Sequence, residues 1–489
     1  MKNLPTFLIK STVMVCCFIL SCNKEGDLLN PASGDMNTLK ATNNGVVFTV
    51  SPSGTYNDSP VIQAALEAAV AAGAGSTVQL TAGTFYLKDW IEVKGFDGFF
   101  KGAGEDKTIL TTHHKLDFGL PPHQIPSLIK FRCGNISMSD MTITITDPEP
   151  CLIETQGWGG SFLPSVVMIT GNDINPGSEG QTAKFIFNNL KFVGGDGNTW
   201  GLNYNIGIFI LATWESDNGA VYPLNGGYKI TSCDFKQAYY SIMTQYTGGP
   251  CIIGGDATSG NKFEETEVGA STQDVNSSYC NTSYNFFDKI HWIGVQHFQG
   301  VNVDPNILPL TNFIANDNDI KLNSYSPGEF AFTIGIQPVD FGIFAGTSTE
   351  HKMNALISNN KIQIDDIGFA GINGQCCSNT IITNNKIWGN GAAGIVTGIW
   401  GDPVNSGWLI KGNNVQGVNA QVAPIWLGPS TNNFLVIGGS NKTNVLNEGT
   451  GNILTGVSLV KGSPLGPQIQ EAMMRKHEML KLLKHPGME

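Results

Sequence analysis

Arginine is almost missing from this chain of 489 residues, in which only Arg132 and Arg475 occur. Contacts to a phosphate backbone need clustered Arg and Lys, and the net charge is −12, so no nucleic-acid partner is expected. Charged residues make up only 14% against 41% hydrophobic, which is too apolar a mixture for a disordered chain. No Walker loop, dinucleotide-binding glycine fingerprint or serine nucleophile elbow stands in the context its chemistry requires. No C-x-x-C pair has zinc spacing. Good helix formers do not dominate either: Gly supplies 59 residues, and Asn is abundant and often doubled, which argues against a helical protein.

The single apolar run at the N-terminus, Ser11 to Leu20 after Lys2 and Lys10, is too short for a permanent bilayer span and reads as a signal peptide over residues 1–21. It ends Ile19-Leu20-Ser21-Cys22, which resembles a bacterial lipobox. The resemblance implies cleavage before Cys22, acylation of Cys22 and a membrane partner reached through that anchor. Loss of Lys2 and Lys10 takes the net charge from −12 to −14. Asn23 after the cysteine, with Lys24 and Glu25, resembles the start of outer-membrane lipoproteins exported to the surface. Residues 22–45 are polar, without pattern, and read as a flexible tether.

Seven cysteines follow Cys22: Cys133, Cys151, Cys233, Cys251, Cys280, Cys376 and Cys377. Two readings stand. They are small buried hydrophobes, or the equally spaced pairs Cys133–Cys151 and Cys233–Cys251 are bridges.

A long chain without a long hydrophobic run suits a solenoid, which lengthens by adding turns. A repeated phrase supports this. Ser358-Asn359-Asn360-Lys361-Ile362 returns as Thr383-Asn384-Asn385-Lys386-Ile387 and Gly412-Asn413-Asn414-Val415, with looser copies at Asn188-Asn189, Asp317-Asn318 and Asn432-Asn433. Each copy sits between two short apolar strands. Such strands cannot bury a face alone but share one core when stacked. Asn tolerates left-handed backbone angles and bonds neighbouring backbone, so the phrase marks a coil corner where stacked amides bond along the axis. Upstream, Asp58-Ser59-Pro60 reads as an N-cap with Pro in the first turn, and Val61, Ile62, Ala65, Leu66, Ala69 and Val70 as one apolar face. Gly73 and Gly75 stop this helix, which would cover the open end of the core.

The Asp-x-x-x-Ile-Gln-x-Ala helix, the segment from Val78 to Leu87 and the Gly-x-Gly-x-Asp-Lys-Thr element at Gly102–Thr108 resemble the pectate-lyase-like superfamily. The resemblance covers residues 46–462. It implies an all-β, single-stranded right-handed parallel β-helix with an N-terminal capping helix. Residues 463–489 add an amphipathic C-terminal helix, with Ile469, Met473, Leu480 and Leu483 broadly on one face.

The fold hosts many functions, so activity must come from residues. The chain looks like a surface carbohydrate-active protein, a hydrolase, a uronate lyase or a glycan binder. A non-catalytic adhesive solenoid is the rival. Long irregular insertions are expected at about 146–184, 194–227 and 245–285. Trp158, Trp200 and Trp214 there, and Trp292, suit the apolar faces of sugars, or anchor loops. Resemblance to polygalacturonases would need Gly-His-Gly and Arg-x-Lys, both absent; the Asp365-Asp366 pair matches their paired aspartate. Resemblance to pectate lyases would need an arginine base and a calcium cage of acids. Lys130 and Arg132 would share one strand face, but no acid cluster has calcium-loop spacing; calcium is the one possible cofactor. His291, beside Trp292, completes the catalytic candidates.

Overall fold

The computed structural model describes residues 45–112, 127–145, 165–170, 183–199, 202–204, 207–213, 226–277, 279–300, 309–323, 332–345, 348–365, 368–398, 405–416, 423–438 and 443–461. The expected signal peptide, tether and C-terminal helix lie outside them, as do Cys22, Trp158, Trp200, Trp214 and Asp366. The chain divides into two compact units, Met1–Lys262 with Val275–Ser277 and Phe263–Asp274 with Ser278–Glu489.

In the first unit, parallel pairing links segments one coil apart, and three sheets result. Sheet A stacks Val47–Val50, Ser76–Leu80, Gly98–Lys101, the first half of Gly134–Ile145, the first half of Ala183–Val193, Tyr228–Thr231 and Cys251–Gly254. Sheet B stacks Gly83–Tyr86, Thr108–Thr112, the second halves of the two long strands and Asp234–Lys236. Sheet C stacks Ile91–Lys94, Ser127–Arg132, Ser165–Thr170, Ile208–Thr213 and Tyr240–Gln245. Parallel strands joined by crossovers wind right-handedly. The unit is a right-handed parallel β-helix, and its core is a stack of in-register apolar side chains such as Val78, Phe100 and Met138.

Helix α1, Ser59–Ala72, packs on the first strands of sheets A and C with Ile62, Leu66 and Ala69 buried, and Gly73 ends it at φ 97°. Two expectations fail here. Val61 is 43% exposed and leaves the apolar face. Asp58 stands at the N-cap position but makes no side-chain cap. Its carboxylate instead accepts from the backbone N–H of Ser53 at 2.7 Å and of Tyr86 at 2.8 Å, tying the helix start to the first coil.

The second unit repeats the three sheets. Sheet A runs through Tyr279–Ser283, Thr311–Asn316, Met353–Ser358, Ile381–Thr383, Leu409–Lys411, Leu435–Ile437 and Ile453–Thr455. Sheet B has Phe286 to Ile290, Asp319–Leu322, Lys361–Ile364, Lys386–Gly389 and Asn414–Gln416. Sheet C includes the rest of Phe286–Gln299, Ile334–Asp340, Ala370–Gly374, Ala393–Thr397, Ile425–Leu427, Thr443–Asn447 and Val457–Leu459. Sheets B and C approach closely in this unit. A Cβ on Gly335 would stand 2.8 Å from Ile362 Cγ2 and 2.5 Å from the Gly371 carbonyl oxygen.

The corner between sheets A and B carries the expected asparagine ladder. The backbone N–H and side-chain amide of Asn285 both donate to Asn318 Oδ1, and Asn318, Asn360 and Asn385 repeat this to the next residue, ending at Asn413, with distances of 2.9–3.2 Å. Asn360 Nδ2 also reaches the Ala315 carbonyl at 2.9 Å. The first Asn of each pair takes the left-handed turn, with φ 55° at Asn359 and 56° at Asn384. In the first unit Cys233 donates its backbone N–H to Asn261 Oδ1 at this corner. Cys233 and Cys251 are buried, unbridged thiols, pushed up to about 12 by desolvation, so the Cys233–Cys251 bridge is not formed.

The expected insertion at 245–285 is also corrected. It contains Cys251–Gly254, Lys262–Gln273 and Tyr279–Ser283, all regular strands. Their Thr, Ser, Glu and Asn residues hid the alternation, because buried polar groups occur on both faces there.

Replacing Asn360 by Ala strands the two donors of Asn318 and is expected to cost about 2–4 kcal/mol. Asn312→Ala, at an exposed site on sheet A, should stay within about 0.5 kcal/mol. Urea unfolding of the two variants checks the contrast.

Candidate functional site

Many outward side chains of sheet C are buried, and among the described residues it carries buried charged and amide groups such as Lys130, Arg132, Gln245, Gln296, Gln337 and Asn373. In the first unit Lys130 and Arg132 alternate on Ser127–Arg132 and share the outer face, as expected from their spacing. Both are fully buried. Arg132 Nε donates to Glu92 Oε1, an ionic contact with the neighbouring coil. Further along this face Thr213 donates to Gln245 Oε1 at 2.9 Å.

In the second unit Val295, Ile336, Ile372 and Ile395 point into the core, so the residues after them point out. That outward row is amide-rich. Ser271 Oγ donates to Gln296 Oε1 at 2.9 Å, and Gln296 Nε2 donates to Gln337 Oε1 at 3.1 Å. Asn373 is next in the row, and among the described residues neither of its amide atoms has a hydrogen-bond partner. Helix α2, Phe341–Ala345, lies against this face through Phe341, whose ring meets Phe298 edge-on at 6.2 Å.

The accessible chemistry gathers where sheet B turns into sheet C. The strand Phe286–Gln299 bulges against Asp319–Leu322, with one extra residue between Phe287 and Ile290. Lys289 sits in the bulge at φ 54°. Bulges re-aim side chains. This one sends the Lys289 ammonium to Glu265 Oε1 at 2.7 Å, and the carboxylate raises the lysine's pKa. His291 follows, its Nδ1 3.0 Å from the Asn323 carbonyl oxygen. A carbonyl only accepts, so Nδ1 carries the proton and Nε2 is the acceptor nitrogen. Desolvation brings the His291 pKa down to about 4, opposed by the Asn323 carbonyl and Glu265 and assisted by Lys289. The imidazole is therefore neutral near pH 7. Half-buried Trp292 adjoins it.

Of the sequence candidates, His291 and its chain neighbour Trp292 lie at this corner. The structure adds Lys289 and Glu265, which sequence reading missed. The one sequence signal for Lys289 is the charged pair Asp288-Lys289 between Phe287 and Ile290; Glu265 has none. Asp365 closes the sheet B strand Lys361–Ile364 and accepts from Gln363 Nε2 at 2.7 Å. Among the described residues no three His, Cys, Asp or Glu side chains converge as a metal cage. His297 is placed in the core, stacked on Phe313 at 4.8 Å, with Nδ1 2.8 Å from Thr272 Oγ1.

No family profile matches the sequence, and no curated protein does. Solved structures of similar shape include the A-module of the mannuronan C-5 epimerase AlgE4 of Azotobacter vinelandii, 14% identical over 78% of this chain and 96% of that one, with a TM-score of 0.36. The A-module of AlgE6 from the same organism is 14% identical over 84% and 93%, with a TM-score of 0.32. PfbA, a surface adhesin of Streptococcus pneumoniae, is 10% identical over 83% and 93%, at 0.28. The fold assignment rests on the strand registers and not on these low scores.

His297 gives a pH signature. Burial pushes its pKa down to about 3, below its usual 6.5. The unfolded chain therefore binds a proton that the folded chain does not, and stability is lost as pH falls below 6.5 towards 3. Between pH 6.5 and 4.5 this loss is on the order of 2 kcal/mol. Urea midpoints of a His297→Phe variant should depend less on pH over that range than those of the wild type.

Proposed function

We propose that the protein acts on an acidic polysaccharide, with the corner around His291 as its reactive centre. The observation that carries this reading is a neutral imidazole within electrostatic range of a lysine, beside an indole, at an accessible edge of the second unit. Removal of the proton next to a uronate carboxylate needs a cation to neutralise the carboxylate and a base to take the proton. Lys289 is the cation and His291 Nε2 the base. An arriving carboxylate raises the histidine's pKa from its depressed value and so strengthens it as a base. The accessible carboxylate here, Glu265, is engaged by Lys289, which favours lyase-type chemistry over hydrolysis by two facing acids. Lys130, Arg132 and Asp365 do not meet at this corner; with Asp366, Trp158, Trp200 and Trp214 they remain separate candidates.

The covered outer face of sheet C favours a second reading, a glycan-binding or adhesive solenoid without turnover. Soluble protein starting at Asn23 distinguishes them. Incubated with pectic, alginate and glycosaminoglycan polymers, with and without calcium, it should produce unsaturated-uronate absorbance or solvent deuterium in the sugar. His291→Ala should slow either by about 100-fold or more. Undiminished turnover in the variant would remove His291 from the mechanism. Glycan binding without turnover on every polymer would leave the adhesive reading.

The same proposal places the protein at the cell envelope, held in the outer membrane through acylated Cys22. Metabolic labelling with a fatty-acid analogue should mark the wild type and leave Cys22→Ser unlabelled.

A further inference from the structure

The outer face of sheet B in the second unit carries a charge pattern that its own folding does not require. Two outward rows run along it in register. One is Phe286, Asp319, Lys361, Lys386, Asn414, and the other includes Lys321, Gln363, Trp388, Gln416. Lys361 and Lys386 are exposed and lie directly opposite one another on successive strands. Like charges so placed are destabilising. Among the described residues neither has an ion-pair partner, although the whole chain carries 40 acids against 28 basic residues. Asp319 precedes Lys361 in the row without an ion pair. Lys321, by contrast, is paired with Asp288 at 3.2 Å and lies over the Phe286 ring at 5.1 Å. The Lys386 ammonium lies 4.9 Å from the centre of the Trp388 ring.

We propose that this face is a track that holds an acidic polysaccharide, leading from the bulge at Lys289 across Lys321 and Lys361 to Lys386 and Trp388. Successive rungs are about 4.8 Å apart, comparable with one pyranose unit of an extended chain. Carboxylates or sulfates of the polymer supply the counter-charge that Lys361 and Lys386 lack. The Trp388 indole offers a flat apolar surface to a ring face, and Gln363 and Gln416 flank it in the same row. The track deepens the acidic-glycan reading and rests on it for the class of polymer. It is separate from the covered face of sheet C and involves no bond making.

The test uses the soluble chain with His291→Ala, so that bound polymer is not consumed. Sodium alginate, polygalacturonate and neutral dextran are the probes, in affinity electrophoresis and calorimetry at several salt concentrations. The acidic polymers should bind and dextran should not, with affinity falling as salt rises. Lys361→Gln with Lys386→Gln should weaken binding at least tenfold and flatten the salt dependence. Trp388→Ala should weaken it several-fold and leave the salt dependence unchanged. The lysine variants should melt no lower than their parent, since a like-charge contact is relieved, and this separates lost binding from lost folding. Wild-type affinity in the lysine and tryptophan variants, or equal binding of dextran, overturns the track. So does preferential binding of phosphatidylglycerol vesicles or a single-stranded oligonucleotide. If the lysine variants lose polymer binding while the chain with His291 intact turns over no acidic glycan, the track stands and the base assignment falls. If polymer binding survives the lysine changes while turnover still depends on His291, the reverse holds.

Discussion

Every feature of these two units depends on one constraint: each coil must sit in register with the next. Parallel strands repeat side chains directly above one another, so a row is one chemical type or a conflict. Inward rows satisfy this with aliphatic and aromatic stacks, such as Phe263 on Phe287 at 4.5 Å and Trp408 on Phe434 at 5.0 Å. The corner between sheets A and B satisfies it with an amide, which is donor and acceptor at once and so bonds to its own kind without limit. The buried run Asn318, Asn360, Asn385 locks three coils at a point where no apolar stack could meet the turn's backbone groups.

Outward rows obey the same rule with different consequences. On sheet C of the second unit the amides Gln296 and Gln337 form a short ladder that stops at the shorter Asn373. On sheet B the row through Lys361 and Lys386 stacks like charges, and among the described residues neither lysine makes an ion pair. The corner at His291 departs from the rule altogether. A bulge breaks the register there, and the freed side chains Lys289 and His291 turn outward beside Glu265. Local disorder in the register and a departure from structural chemistry thus coincide at one place, and that coincidence is the argument for function there.

Much of the fold was legible because the ladder asparagines are conspicuous in sequence. The doubled Asn at 359–360 and 384–385 marked the corner, and the structure then gave the first residue the left-handed turn and the second the buried bond. The capping helix was legible from its apolar spacing, apart from Val61 and the true partners of Asp58. Coils at 251–283 were not legible, since strands buried on both faces with Thr, Ser and Glu show no alternation of hydrophobicity. At the candidate site, His291 and Trp292 drew attention as residue types known to bind or catalyse. Lys289 and Glu265 could not, being common surface residues 24 positions apart whose meeting depends on a bulge.

The sequence by itself determined the coil, its corner and its stacking direction, because those follow from short-range patterns: where Asn recurs, where Gly turns, where apolar residues flank them. Only the tertiary structure decided which outward residues meet. Coil length varies, 25 residues separating Asn360 from Asn385 but 42 separating Asn318 from Asn360, so the partner of any outward side chain on the next rung cannot be counted off in advance. That is why Lys361 against Lys386, and Lys289 against Glu265, became visible once the registers were known: an outward row is set by the stack, not by the chain.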